Sequence, residues 1–301
     1  MLAGDGRWTG AVHAVDRSSL TTNLIESLGL PVRITRRDLT ASSTEPDIAD
    51  IVLLDPPWYV PQAEAFIRSA ARSCRVGGRV LAVLPGTGTR PSADRDCEHL
   101  TRYSASHGLA LKRVHEDEII YETPYFEHNA IRAANIGDDM PGWRRGDLYD
   151  FERVEAPEPP VGVPPSEPEP WNELHSGLIR VRFKSSRPSS GNTALHKIID
   201  GDILPSVSRR DARRDKVSVW TCGNRVFGCE DPGTLLASVA AVIVGRNPVA
   251  AAIEVVGHRL SREQRDILRR SCTQLGRIIE QEHHEWSEIG ARNGSDVVGR
   301  A

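Results

Sequence analysis

The sequence has no apolar run that approaches the roughly 18 residues a membrane-spanning helix needs. Its most apolar segment, Leu235 to Val244, is too short. It has no Cys-x-x-Cys pair and no legible secretory leader. Its five scattered cysteines (Cys74, Cys97, Cys222, Cys229 and Cys272) form an odd set, which favours reduced thiols in a cytoplasm. It has no excess of positive charge. A net charge of −3 supplies no global field for nucleic acid. His115-Glu116-Asp117-Glu118 and His283-His284 lack further His or Cys partners at metal-ligand spacing, so no metal is expected. No Ser-His-Asp or Cys-His arrangement and no internal repeat is visible. What remains is an ordinary soluble composition, 39% hydrophobic and 26% charged, in 301 residues, room for one large domain or two modest ones.

What is present centres on Asp50-Ile-Val-Leu-Leu-Asp55-Pro56-Pro57-Trp58-Tyr59. Its first half reads as a strand buried on both faces. Its second half cannot continue that strand, because proline has no N–H and fixes its φ. An acid, a rigid carbonyl and an aromatic ring are therefore expected at the carboxyl end of a core strand, where open α/β sheets bind ligands. Taken alone, the quartet also fits a plain strand-to-loop exit closed by prolines.

The Asp-Pro-Pro-Trp quartet resembles the motif of the S-adenosylmethionine-dependent amino-methyltransferases, and in this form looks most like their mRNA adenosine branch. The resemblance implies methylation of an exocyclic nitrogen, adenine N6 in nucleic acid above all. It implies that the Asp55 carboxylate and the Pro56 carbonyl each accept an amine N–H, which directs the nitrogen lone pair at the methyl carbon. Pro57 stiffens that loop. Trp58 would stack on the base, with Tyr59 a second wall; a duplex base would have to be flipped out.

Around the motif, strand-like and helix-like stretches alternate. Strands are predicted at Gly10–Asp16, Pro31–Asp38, Arg79–Leu84, Ala110–Tyr121 and Glu127–Ala134. Helices are predicted from Ser18 to Leu28, Gln62 to Cys74 and Asp94 to His107. Alternation of this kind means βαβ units and an α/β fold with a parallel sheet. The last two strands are read as a hairpin, which is how the sheet of the resembled family ends. The expectation is a Rossmann-like methyltransferase domain over residues 1–137, with the motif on its fourth strand.

The same resemblance implies cofactor contacts. Asp16 matches the acid that holds the ribose hydroxyls of S-adenosylmethionine, although an Asp after a strand is also a common helix cap. Asp38 stands where the adenine amine is contacted. The chain departs from the family where a strand and glycine-rich loop should precede Asp16, since only Gly4, Gly6 and Gly10 are offered there. Three readings follow. The start is truncated, a protein partner or second copy completes the cofactor site, or the site is degenerate. Pro85-Gly-Thr-Gly-Thr89 reads as a loop at the active-site rim, with Arg90 near the substrate.

Residues 138–173 carry ten acids against three arginines, and seven of the fifteen residues 156–170 are proline. They read as an extended linker. Residues 174–301 read as a smaller α+β domain. It has a basic half-exposed strand Gly177–Lys184, two Ala/Val-rich helices from Pro232 and Pro248, and a long helix opened by the capping box Ser261-x-x-Gln264. The tail after Gly290 reads as disordered. Eleven Lys/Arg against four Asp fall between His175 and Arg225. Arg209, Arg210, Arg213, Arg214 and Lys216 form a candidate nucleic-acid patch, or a solvated loop balanced by Asp211 and Asp215. Two rival functions stay open: a small-molecule N-methyltransferase, and an inactive methyltransferase-like module that binds nucleic acid or a partner.

Overall fold

A computed structural model describes residues 10–40, 49–137, 144–155, 171–187, 192–208 and 210–298. The chain divides into two compact units, Met1–Glu122 with Pro141–Glu167, and Thr123–Met140 with Pro168–Ala301.

The first unit is α/β. Strand β1 (Val12–Asp16) pairs in parallel with β2 (Val32–Arg36) across helix α1 (Ser19–Ser27). The side chain of Ser18 caps α1 by accepting from the Thr21 N–H. A second sheet has the order β3 (Ala49–Leu54), β4 (Cys74–Pro85), β6 (Arg145–Arg153), β5 (Leu109–Ile120). β3 and β4 are parallel, joined by helix α2 (Val60–Ser73). Helix α3 (Ala93–Ser106) leads to β5, and β6 runs antiparallel between β4 and β5.

One face of this sheet is sealed. Leu54, Val80, Ala82, Leu84, Leu109 and Phe151 pack there with Ala63, Ile67, Ala70 and Ala71 of α2 and Leu100 of α3. Burial of that apolar area fixes the strand whose end carries Asp55. Among the described residues β3 pairs only with β4. Its alternate side chains Ile51 and Leu53 are 47% and 62% exposed. Among the described residues the predicted core strand is therefore an edge strand with one apolar face open.

Three sequence expectations change here. Residues 127–134 are not a strand but lie within helix α4 (Tyr125–Ala133) and the residue that follows it. Its buried Tyr125 and Asn129 stand four residues apart, the spacing of one helical face. The antiparallel partner of β5 is instead β6, inside the acidic stretch read as linker. Its Asp147, Asp150 and Arg153 are all buried, so its polarity disguised a core strand. Arg79 and Asp150 pair across β4 and β6. The sequence reading put the first boundary at residue 137, whereas contacts place Thr123–Met140 with the second unit. The stretch 156–170 lies outside the described residues.

The second unit is α+β. Its five-stranded sheet has the order β7 (Trp171–Ser176), β8 (Ile179–Lys184), β10 (Val219–Thr221), β11 (Val226–Gly228), β9 (His196–Lys197). Ile179, Val181, Phe183, Val219 and Phe227 form a core with Leu235 and Val239 of α5 (Pro232–Ile243), Ala252 of α6 (Pro248–Val256) and Leu268, Leu275 and Ile279 of α7 (Arg262–Val298). The capping box is reciprocal: the Gln264 N–H donates to Ser261 Oγ at 3.1 Å, and the Ser261 N–H to Gln264 Oε1 at 2.7 Å. The backbone of α7 stays helical past Gly290, contrary to the expected disorder.

One buried network ties α4, the turn between β10 and β11, and α7 together. Arg225 donates to Glu282 at 2.9 Å and to Glu285 at 2.7 Å. Glu282 also accepts from Thr221 and from the Gly223 N–H. The Asn129 amide donates to the Gly223 carbonyl, and the Tyr125 hydroxyl donates to Glu285.

Candidate active site

The backbone leaves β3 at Leu54, and the two prolines turn it toward α2. Pro56 is buried and Pro57 exposed. The Tyr59 N–H donates to the Pro57 carbonyl at 2.7 Å, and the Tyr59 carbonyl accepts from Ala63 as α2 begins. Among the described residues nothing donates to the Pro56 carbonyl. Tyr59 is exposed. Its backbone closes the turn.

Asp55 does not stand alone. The Tyr121 hydroxyl donates to its Oδ1 at 2.7 Å. The Trp58 ring meets the Tyr121 ring edge to face, centroids 5.6 Å apart at 78°. The Arg144 guanidinium lies 5.2 Å from the Trp58 ring centre and 5.4 Å from that of Tyr121. Asp55 is exposed, yet neighbouring protein atoms partly desolvate its carboxyl and raise it above the usual range, opposed by the Tyr121 bond and the Arg144 charge. The Tyr121 phenol is driven well up, by desolvation first and then by its bond to Asp55.

Tyr121 and Arg144 were missed at the sequence level. They come together because β5 and β6 pair antiparallel and the Tyr121 N–H donates to the Arg144 carbonyl at 3.1 Å. The only hint was Tyr121 closing a strand-like run. Arg144 lay in a stretch read as linker.

The other candidates are placed as follows. Asp16 and Asp38 stand at the carboxyl ends of the parallel pair β1 and β2. Asp16 accepts from the Ser18 N–H at 2.7 Å through Oδ1, and Asp38 accepts from the N–H and hydroxyl of Thr40 at 2.8 and 2.6 Å. They share a sheet end with each other, on a different sheet from Asp55. Gly4 and Gly6 lie outside the described residues. Arg90 is turned onto the start of α3, with Asp96 at 2.9 Å and Ser92 at 3.1 Å.

In the basic patch, Arg209 lies outside the described residues. Arg210 is exposed. Arg213 is committed to Asp211 by bonds of 2.9 and 2.6 Å, and these hold the Asp211 carboxyl down at about 2. Arg214 stacks 4.3 Å from the Trp220 ring centre and donates to the Val207 carbonyl at 3.2 Å. A recess of about 530 Å³ in the second unit includes Arg213, Asp200, Ile199 and Ile203 in its wall and none of the Asp55 cluster. No helix among the described residues is long and apolar enough to cross a membrane, and no group of His, Cys, Asp or Glu among them is placed to hold a metal.

No protein-family model matches the sequence, and no curated protein matches it. Several solved structures are similar over about half the chain. One is a mutein of the branched-chain polyamine synthase of Thermus thermophilus, in complex with N4-aminopropylspermidine and 5'-methylthioadenosine. It is 16% identical over 53% of this chain and 48% of its own, with a TM-score of 0.40. Another is the geranyl diphosphate C-methyltransferase of Streptomyces coelicolor, in complex with Mg2+, geranyl diphosphate and S-adenosyl-L-homocysteine. It is 13% identical over 50% of this chain and 67% of its own, TM-score 0.34. A SAM-dependent methyltransferase of Methanosarcina mazei is 10% identical over 48% of this chain and 82% of its own, TM-score 0.34. The chain spans about half the length of the two polyamine synthase structures.

Proposed function

We propose that this chain is an S-adenosylmethionine-dependent methyltransferase acting on an exocyclic amine, with adenine N6 in nucleic acid as the substrate. The observation that carries this reading is the Asp55 carboxylate, one oxygen fixed by Tyr121, beside a Pro56 carbonyl that no described group uses and a Trp58 ring. Two acceptors on a rigid loop can each take one N–H of an aromatic amine. The nitrogen then loses conjugation with its ring and presents its lone pair. This is positioning and electrostatics rather than strong base catalysis. Trp58 offers the stacking face.

Asp16 and Asp38 are the residues that would hold the cofactor. Their chemistry fits, since carboxylates at adjacent parallel strand ends accept from the hydroxyls of a vicinal diol and from an amine. Asp16 has spent one oxygen on Ser18 and keeps the other. When bound, S-adenosylmethionine supplies an electrophilic methyl group.

A second reading, a small-molecule N-methyltransferase, is favoured by one observation. Arg213 and Arg214 are occupied by Asp211 and Trp220, which draws two cations away from phosphate contact. Isothermal titration with S-adenosylmethionine tests the cofactor. Methyl transfer to adenine-containing RNA, DNA and free adenosine, against Asp55→Ala, tests the chemistry. A loss of 100-fold or more in Asp55→Ala is expected on the order of other lost transition-state contacts. A chain that binds no S-adenosylmethionine is an inactive module, and the proposal fails.

A further inference from the structure

Trp58 and Tyr121 make two walls of a corner, their rings 78° apart. Asp55 joins the corner through the Tyr121 hydroxyl at 2.7 Å. Two aromatic faces and a carboxylate attract a planar cation. The Arg144 guanidinium stands in that corner, 5.2 and 5.4 Å from the two ring centres. A guanidinium presents a flat N–C–NH2 edge. An aminopurine presents a planar edge of similar shape, its exocyclic amine donating and its ring nitrogen accepting. Arg144 thus fills, with a flat N–H-donating group, the space that the amine edge of the proposed substrate would take.

We infer that the Trp58–Tyr121–Asp55 corner is the binding recess for the substrate amine and that Arg144 is its internal occupant, displaced when a planar group with an N–C–NH2 edge enters. This rests on the placing of the substrate amine at Asp55 argued above. The main chain at Arg144 is held: its carbonyl accepts from the Tyr121 N–H at 3.1 Å, and β6 begins at the next residue. The half-exposed side chain is the part that has to leave. Giving up its two cation–π contacts lowers the affinity of an incoming ligand by roughly tenfold.

The test is calorimetric titration of adenosine and of methylguanidinium, without cofactor, into the full chain at pH 8. The proteins are wild type, Arg144→Ala, Arg144→Gln and the double variant Arg144→Ala with Trp58→Ala, each checked for its fold by circular dichroism. Arg144→Gln keeps a polar side chain, shorter than that of arginine, and removes its charge, which guards against a folding defect. Both ligands should bind the single variants about tenfold more tightly than wild type, and the double variant should lose the gain. A gain for methylguanidinium alone upholds the recess and its occupant and removes adenine as the substrate. Equal or weaker binding of both ligands to Arg144→Ala and Arg144→Gln overturns the inference. Methyl transfer by the wild-type chain, measured separately, then still decides the reading of function.

Discussion

The hydroxyl of Tyr121 donates to Asp55 Oδ1 at 2.7 Å, binding the end of β5 to the loop that leaves β3. Asp55 must be ionised to accept an amine N–H. Its folded pKa is raised by desolvation, and the Tyr121 bond is one of two effects that oppose the rise. Removing that bond raises it further. In Tyr121→Phe the acidic limb of kcat/KM against pH should therefore move to higher pH. The defect should be largest in acid and shrink as pH rises. A loss of the same size at every pH would show that Tyr121 acts on geometry alone.

The same direction of shift bears on stability. A carboxyl whose folded pKa is raised favours the fold most below its unfolded pKa, and that contribution is lost as pH rises through the folded pKa. The Asp55 side chain is exposed, so water screens its charge and at pH 7 the ionised group adds little to stability. Asp55→Asn should abolish methyl transfer without lowering Tm. Thermal unfolding at pH 7 checks this, and a clear fall in Tm contradicts it.

Glu282 is fully buried and accepts from Thr221, the Gly223 N–H and Arg225. Burial pushes its pKa up against those bonds. Glu282→Ala leaves the Arg225 charge with only Glu285 opposite it, in a place closed to water. The cost should be about 3–5 kcal/mol. Glu282→Gln, which keeps an acceptor, should cost less. Chemical denaturation of the full chain measures both.

A Cβ at Gly78 would lie 2.7 Å from the Asp50 carbonyl oxygen and 2.9 Å from that of Arg75. Both are backbone atoms, so neither can rotate away. Gly78→Ala should push β3 off β4 and cost about 1–3 kcal/mol by overpacking. Methyl transfer should fall with it, because Asp55 rides on β3. A variant of wild-type stability would show that the strands adjust freely.

Asp211 withdraws Arg213 from any anionic ligand. If the patch meets phosphate, Asp211→Ala should tighten binding of single-stranded RNA. The slope of log K against log salt should steepen by about 0.7, the release from one phosphate. Unchanged affinity and slope would remove Arg213 from any nucleic-acid surface.

The strand ending in Asp55 was legible because an apolar run abutting two prolines admits few conformations. Asp16 and Asp38 were legible as acids closing short strands. β6 was not, because Asp147, Asp150 and Arg153 are buried, and only partners far along the chain make such burial tolerable: Arg79 for Asp150, and the Asp117 N–H for Asp147. Reading β6 as linker concealed Arg144, the cation beside the Trp58 and Tyr121 rings. The cluster from Arg210 to Lys216 was read by its charge total. A sum of charges does not reveal that Arg213 spends its guanidinium on a residue two positions away or that Arg214 lies on Trp220.

Among the described residues β3 has a ladder on one side and open apolar side chains at Ile51 and Leu53. Amides on its unladdered side should exchange with solvent well before those of β4 and β6, which lie inside the sheet. The strand can then part from β4 locally while the core beneath Phe151 stays intact. Loss of the site and loss of the fold would be separate events with separate temperatures, and inactivation would precede melting.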